Sequence, residues 1–237
     1  MTEITHPAEP GQEKGTAEDS LSQNILDFGS ALTRTPHGTV YCLTIIGQIE
    51  GHSTAANGAK TTKYEHVLPL LAKLEESEEV DGVLFLLNTV GGDVEAGLAI
   101  AELIAGMTKP TVSIVLGGSH SIGVPIAVAA KRTFIAPTGT MVLHPVRITG
   151  TVLGVPQTSA YFHRVQGRIE AFVTAHSRIS PQRLRALMQR TDELVDDIGS
   201  SLTGREAVEE GLCDAVGGLQ DALRALYDMM EERPYGS

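Results

Sequence analysis

The sequence predicts an α/β fold with a largely parallel sheet, and three observations carry that expectation. Strand-like and helix-like segments alternate from about residue 39 to residue 143. Val83-Leu84-Phe85-Leu86-Leu87 is a continuous apolar run, the signature of a parallel strand buried on both faces. Beyond residue 154 the alternation gives way to a long stretch with apolar residues at helical spacing, Tyr161, Phe162, Val165, Ile169, Phe172 and Val173. That stretch predicts a long helix that projects from the alternating body or packs on it as an extra element.

Each element has its own warrant. Residues 39–46 are rich in β-branched side chains and predict a strand stopped by Gly47. Val67, Leu70, Leu71 and Leu74 predict a helix over 65–74, and Leu98, Ile100, Ala101, Leu103 and Ile104 predict another over 94–106. Strands are expected at 83–87, 111–116, 132–135 and 141–143, with a helix over 121–130. Gly150 and Gly154 lead into the long helix over 157–179, which Ser180-Pro181 breaks. A helix over 182–190, a brief one over 206–210 ended by Gly211, a short strand at 213–216 and an amphipathic helix over 219–231 follow. Residues 1–37 are polar and acidic and are expected to be mobile, with the cluster Leu21, Ile25, Leu26 and Phe28 as a short docking helix. The folded domain is expected to span 38–237.

Composition bounds the function. A net charge of −11 and the lack of a long Lys/Arg cluster argue against nucleic acid as a partner. No stretch reaches the roughly 18–20 apolar residues needed to cross a bilayer. The first residues carry neither a basic nor an apolar signal region, so a cytoplasmic location is expected, with Cys42 and Cys213 as unpaired small hydrophobes.

Chemistry enters at three strand ends. Gly91-Gly92-Asp93 follows a strand and opens a helix, where backbone N–H groups attract negative charge. The segment lacks the spacing of a dinucleotide or phosphate loop, which leaves a tight turn or an oxyanion donor. Ser121 precedes an apolar helix and reads as an N-cap or as a nucleophile, although Ser119 breaks the G-x-S-x-G pattern. His144 ends an apolar strand before Pro145 and is the best-placed base for Ser121. His120, adjacent to Ser121 on the same turn, reads as a packing residue. A hydroxyl, a base and amide donors together make a serine hydrolase the leading reading.

Four ordered blocks then resemble the proteolytic subunit of the Clp protease family. Leu87-Asn88-Thr89-Val90-Gly91-Gly92-Asp93-Val94-Glu95-Ala96-Gly97 is similar to the family's N-S-P-G-G-x-V-x-A-G. Gly117-Gly118-Ser119-His120-Ser121-Ile122-Gly123 is similar to G-x-A-A-S-M-G. Val142-Leu143-His144-Pro145 resembles the family's M-I-H-x-P with the proline one place early, and Glu206-Ala207-Val208-Glu209-Glu210-Gly211-Leu212-Cys213-Asp214 resembles E-A-x-x-x-G-L-V-D. The run 44–52 and the run 117–127 resemble the translocation-enhancing branch of that family.

The resemblance implies a ClpP/crotonase-type fold and a serine endopeptidase acting on peptides or unfolded polypeptides. It implies Ser121 as nucleophile, His144 as base, and an oxyanion hole from the amides of Ile122 and of Gly92 or Gly91. The third triad place aligns with Gly199; Asp197, two residues earlier, is the expected carboxylate, and a Ser–His dyad is the alternative. The resemblance further implies no metal or cofactor and a homo-oligomeric ring with the long helix at the contact between rings. An ATPase or export-machinery partner fits it as well. A non-proteolytic scaffold assisting translocation is the rival reading, and a crotonase-like thioester enzyme, which needs no Ser–His pair, is a weaker third.

Overall fold

Three long strands form the body of the sheet, and two of them change neighbour midway. The computed structural model describes residues 29–52, 58–147, 154–191 and 198–232. Strand β1 (Ser30–Thr35) pairs antiparallel with the first part of β2 (Gly38–Glu50), and β3 (Thr61–Lys63) pairs parallel with the last part of β2. The other long strands are β4 (Gly82–Gly92) and β5 (Thr111–His120). Residues 112–115 of β5 pair with β6 (Arg132–Ile135), whereas residues 118–120 pair with β7 (Thr140–Leu143). Strand β8 (Ser200–Thr203) runs antiparallel to β7, and β9 (Ala215–Val216) closes the far edge beside β6. The main path is β1-β2-β4-β5-β6-β9, parallel from β2 onward.

Local chemistry marks two register shifts in the long strands. Gly47 (φ +76°) marks a register shift in β2, and a β-carbon there would run into the Lys60 carbonyl. In β4 the register shifts between Leu87 and Thr89, where the Asn88 side-chain oxygen accepts the Gly118 N–H at 3.0 Å. The same side chain fills the space that a side chain at Gly117 would need.

Seven helices flank the sheet among the described residues: α1 (Tyr64–Glu76), α2 (Val94–Gly106), α3 (Gly123–Val128), α4 (Val155–Ala175), α5 (Pro181–Met188), α6 (Gly204–Glu209) and α7 (Leu219–Glu231). One core joins Val83, Phe85 and Leu87 to Leu71, Ile100, Ile126 and Val173. A smaller core joins Val40, Leu84, Val112 and Ile114 to Ala222, Leu226 and Met230 of α7. Successive residues of β4 thus enter opposite cores, which is why its sequence is apolar without alternation. The C-terminal half of α4 buries Val165, Ile169, Phe172 and Val173, while its first half leaves Val155 69% and Tyr161 48% exposed. None of these helices is long and apolar enough to cross a membrane.

Several elements differ from expectation. Residues 30–35, expected to be mobile, form β1, because Leu32 packs against the larger core and a turn at Pro36-His37-Gly38 (φ of Gly38 +125°) folds the strand back on β2. Such pairing is a long-range gain that local polarity does not reveal. The apolar cluster at 21–28 lies outside the described residues. Strands β4 and β5 run on through Gly92 and His120, and α3 starts at Gly123, because the double glycine extends β4 up to the Asp93 cap and a turn at Ser121-Ile122 precedes α3. Strands β3 and β8, too short to show a pattern, were not expected. Cys42 is half-buried and Cys213 is buried, both as free thiols; burial, then the Asp214 charge, pushes the Cys213 thiol up to about 12.

Candidate active site

Ser121 stands where β5 ends, and its backbone is unusual. Its φ of +56° makes it the one non-glycine with positive φ among the described residues. A left-handed serine is strained by about 1 kcal/mol or more and persists only where its surroundings hold it. Two contacts hold it here. The Ser121 N–H donates to the Val142 carbonyl at 2.8 Å, which carries the β5–β7 pairing one residue further. Gly91 (φ +86°) passes so close that a β-carbon on it would lie 2.7 Å from the His120 carbonyl oxygen and 2.8 Å from the Ser121 β-carbon.

The double glycine is held from the other side. Thr89 donates its hydroxyl to the Gly47 carbonyl at 2.6 Å and accepts the Gly91 N–H at 3.0 Å. The Asp93 N–H bonds the Ile49 carbonyl at 3.0 Å, and the Asp93 carboxylate caps α2 by accepting from Ala96 N–H at 2.9 Å. A β-carbon at Gly92 would overlap the Ile49 carbonyl, so this position also requires glycine. Ile122 buries its side chain against Gly97 of α2, where any β-carbon would collide with it. That contact locks the Ser121-Ile122 turn to the helix that Asp93 caps.

His144 follows β7, and its Nδ1 lies 2.7 Å from the Pro145 carbonyl oxygen. A carbonyl only accepts, so Nδ1 carries the proton in this arrangement, which in a neutral imidazole leaves the lone pair on Nε2. Gly199 lies against His144, and Gln166 of α4 accepts the Val146 N–H at 2.9 Å. Ser121, Ile122, Gly92 and His144 line one cavity of about 160 Å³, whose other walls include Val94, Ile169, Val173 and Met188. Among the described residues, no hydrogen bond joins Ser121 to His144.

The structure therefore brings Ser121, His144, Gly92 and Ile122 to one cavity, with Gly91 directly behind Ser121. Asp197 lies outside the described residues, as do Asp192 and Asp196. His120 donates or accepts at Thr140 Oγ1 (3.0 Å from Nε2), and its ring covers Gly118. Burial, then the nearby His144, pushes its pKa down. Sequence reasoning missed Thr89, Gln166 and Met188. Gln166 carries a weak signal, a polar residue next to the apolar stripe of α4. Thr89 and Met188 carry none.

The arrangement offers a hydroxyl, an imidazole with a free nitrogen and strand-end amides around a small apolar cavity, on a mostly parallel sheet flanked by helices. A family model for Clp protease matches residues 49–220, which include Gly91, Gly92, Ser121 and His144, and the chain belongs to that family. Among individual proteins, the chain is 48% identical over 228 residues to the translocation-enhancing protein TepA of Halalkalibacterium halodurans, covering 96% of this chain and 87% of the relative. It is 27% identical over 150 residues to the ATP-dependent Clp protease proteolytic subunit 1 of Protochlamydia amoebophila, 60% of this chain and 68% of that one. A ClpP1 mutant from Listeria monocytogenes shares the fold with a TM-score of 0.60, covering 77% of this chain and 94% of its own, at 22% identity.

Proposed function

We propose that the protein is a serine-type endopeptidase that cleaves peptides or unfolded polypeptides through an acyl-enzyme. The observation that carries this reading is the left-handed Ser121 at the end of β5, on the wall of the cavity that His144 also lines. Ser121 Oγ attacks the scissile carbonyl carbon and its proton passes to Nε2 of His144. The oxyanion takes hydrogen bonds from backbone N–H groups. Gly92 and Ile122 are the candidates, since the Gly91 N–H already has Thr89 as its acceptor. Collapse of the intermediate expels the amine, which takes the proton from His144, and water then repeats the cycle on the ester. For a third member the sequence offers Asp197, and the alternative is that Ser121 and His144 work as a dyad. The reaction needs no metal and no cofactor.

The apolar walls at Val94, Ile169, Val173 and Met188 favour an apolar side chain next to the cleaved bond. The proposal includes a homo-oligomeric ring in the cytoplasm with the exposed half of α4 at a subunit contact, a contact that the exposure of Tyr161 and Val155 supports. An ATPase or export-machinery partner belongs to the same proposal.

A second reading, a Clp-like scaffold that assists protein export without cleaving, is favoured by the name of the 48% identical relative and by the lack of a Ser121–His144 hydrogen bond. A fluorophosphonate probe separates the two. Stoichiometric labelling of the wild type, lost in Ser121→Ala, supports the peptidase; an unlabelled, folded wild type supports the scaffold.

A further inference from the structure

We propose that the Pro145–Val146 peptide group, held by Gln166, is what orients His144. This rests on the reading of His144 as the base. A peptide is a rigid plane with its C=O and N–H on opposite sides. The Pro145 carbonyl oxygen lies 2.7 Å from His144 Nδ1, and the N–H of the same peptide, that of Val146, donates to Gln166 Oε1 at 2.9 Å. Gln166 thus grips one end of the plane whose other end fixes the imidazole. Because linked hydrogen bonds polarise one another, an acceptor on the Val146 N–H also strengthens the carbonyl as an acceptor for Nδ1–H.

Gln166 is itself fixed. Its Nε2 donates to Glu170 Oε1 at 3.2 Å and lies 3.1 Å from Met188 Sδ. Glu170, one turn along α4, is clamped by Arg185 of α5 at 2.6 Å through a carboxylate that is 12% exposed. The chain of contacts therefore runs from α5 through α4 to the loop after β7.

Gly199 packs on the backbone side of His144, with its would-be β-carbon 3.0 Å from the His144 β-carbon. The peptide plane supplies an acceptor for Nδ1–H where an aspartate is the usual device. Gln166 is a positioning residue, since it reaches His144 only through this plane.

The test is the tautomer of His144, read by nitrogen NMR on histidine-labelled protein at about pH 8, where a histidine is ordinarily neutral. Its signal among the eight histidines is assigned by comparison with His144→Gln. The wild type should carry the proton on Nδ1. Gln166→Leu should shift the ring toward a mixture and lower kcat by about tenfold with KM unchanged, the scale of one lost hydrogen bond. Gln166→Glu, which keeps an acceptor for the Val146 N–H, should restore the Nδ1–H form. Asp197→Asn should leave the tautomer as it is.

An Nε2–H tautomer in the wild type overturns the proposal, as does a Gln166→Leu ring that stays wholly Nδ1-protonated. Loss of the Nδ1–H form in Asp197→Asn assigns the role to that carboxylate and overturns it too. If Gln166→Leu does not fold, the wild type, Gln166→Glu and Asp197→Asn still decide. The tautomer is read without turnover, so an unlabelled Ser121 would sink the peptidase reading and leave this test standing.

Discussion

Gly199 packs its backbone directly on His144: a β-carbon at position 199 would lie 3.0 Å from that of the histidine and would overlap the Leu143 carbonyl oxygen. Its φ of +135° lies where side chains are strained, and its N–H is fixed to the Arg190 carbonyl at 2.8 Å. The resemblance to the Clp family read from the sequence sets the triad aspartate at this position. An aspartate placed here should nevertheless damage the site. Gly199→Ala and Gly199→Asp are both expected to lose about 1–3 kcal/mol of stability from backbone strain alone, with activity lost as His144 is displaced. Urea unfolding beside a peptide-cleavage assay checks this; a Gly199→Asp variant with higher turnover would contradict it.

The strain at Ser121 gives a stability test of its role. Glycine adopts a φ of +56° without penalty, so Ser121→Gly should unfold at the same temperature as the wild type or higher, while hydrolysis falls by about 10⁶-fold. Ser121→Ala should lose activity equally without the gain in stability. Calorimetry on the three proteins compares them directly. A destabilised Ser121→Gly would mean that the hydroxyl has a structural task and that the strain is not kept for chemistry.

His120 should make stability depend on pH. Burial, then His144, lowers its pKa in the folded state, so folding favours its neutral form. The contribution is complete above the unfolded value of about 6.5 and is lost as pH falls from there through the lowered folded value. His120→Gln should remove that part of the slope. In urea titrations the wild-type advantage over His120→Gln should be larger at about pH 7.5 than at about pH 5, two points that bracket the ordinary histidine value. An equal gap at both would show that His120 ionises as freely in the fold as outside it.

The exposed first half of α4 predicts assembly. Val155 and Tyr161 lie exposed on it, and such side chains favour a partner surface. Sedimentation of the wild type should show a species of several subunits, and Tyr161→Glu should shift it to a smaller one. A wild type that stays monomeric at micromolar concentration would remove both the ring and the chamber from the proposed function.

Much of this protein is written in local order. The run Val83–Leu87 is apolar because β4 feeds two cores, and the spacing of Leu98, Ile100, Ala101 and Ile104 predicts α2 because those side chains meet the larger core. The four blocks that resemble the Clp family contain Ser121, His144, Gly92 and Ile122, all four of which line the cavity. Period and motif are properties of neighbours in the chain, so one sequence is enough to read them. What took the tertiary structure was every relationship between distant segments. β1 exists only because β2 is there to pair with it, and Ser121 turns left-handed only because Val142 and Gly91 enclose it. The Thr89 bond to Gly91 N–H separates the two glycines, which are equivalent as letters. Gln166 meets Val146 across a loop and a helix, a hydrogen bond of about 1 kcal/mol that leaves no period behind it and becomes visible only once the chain has folded.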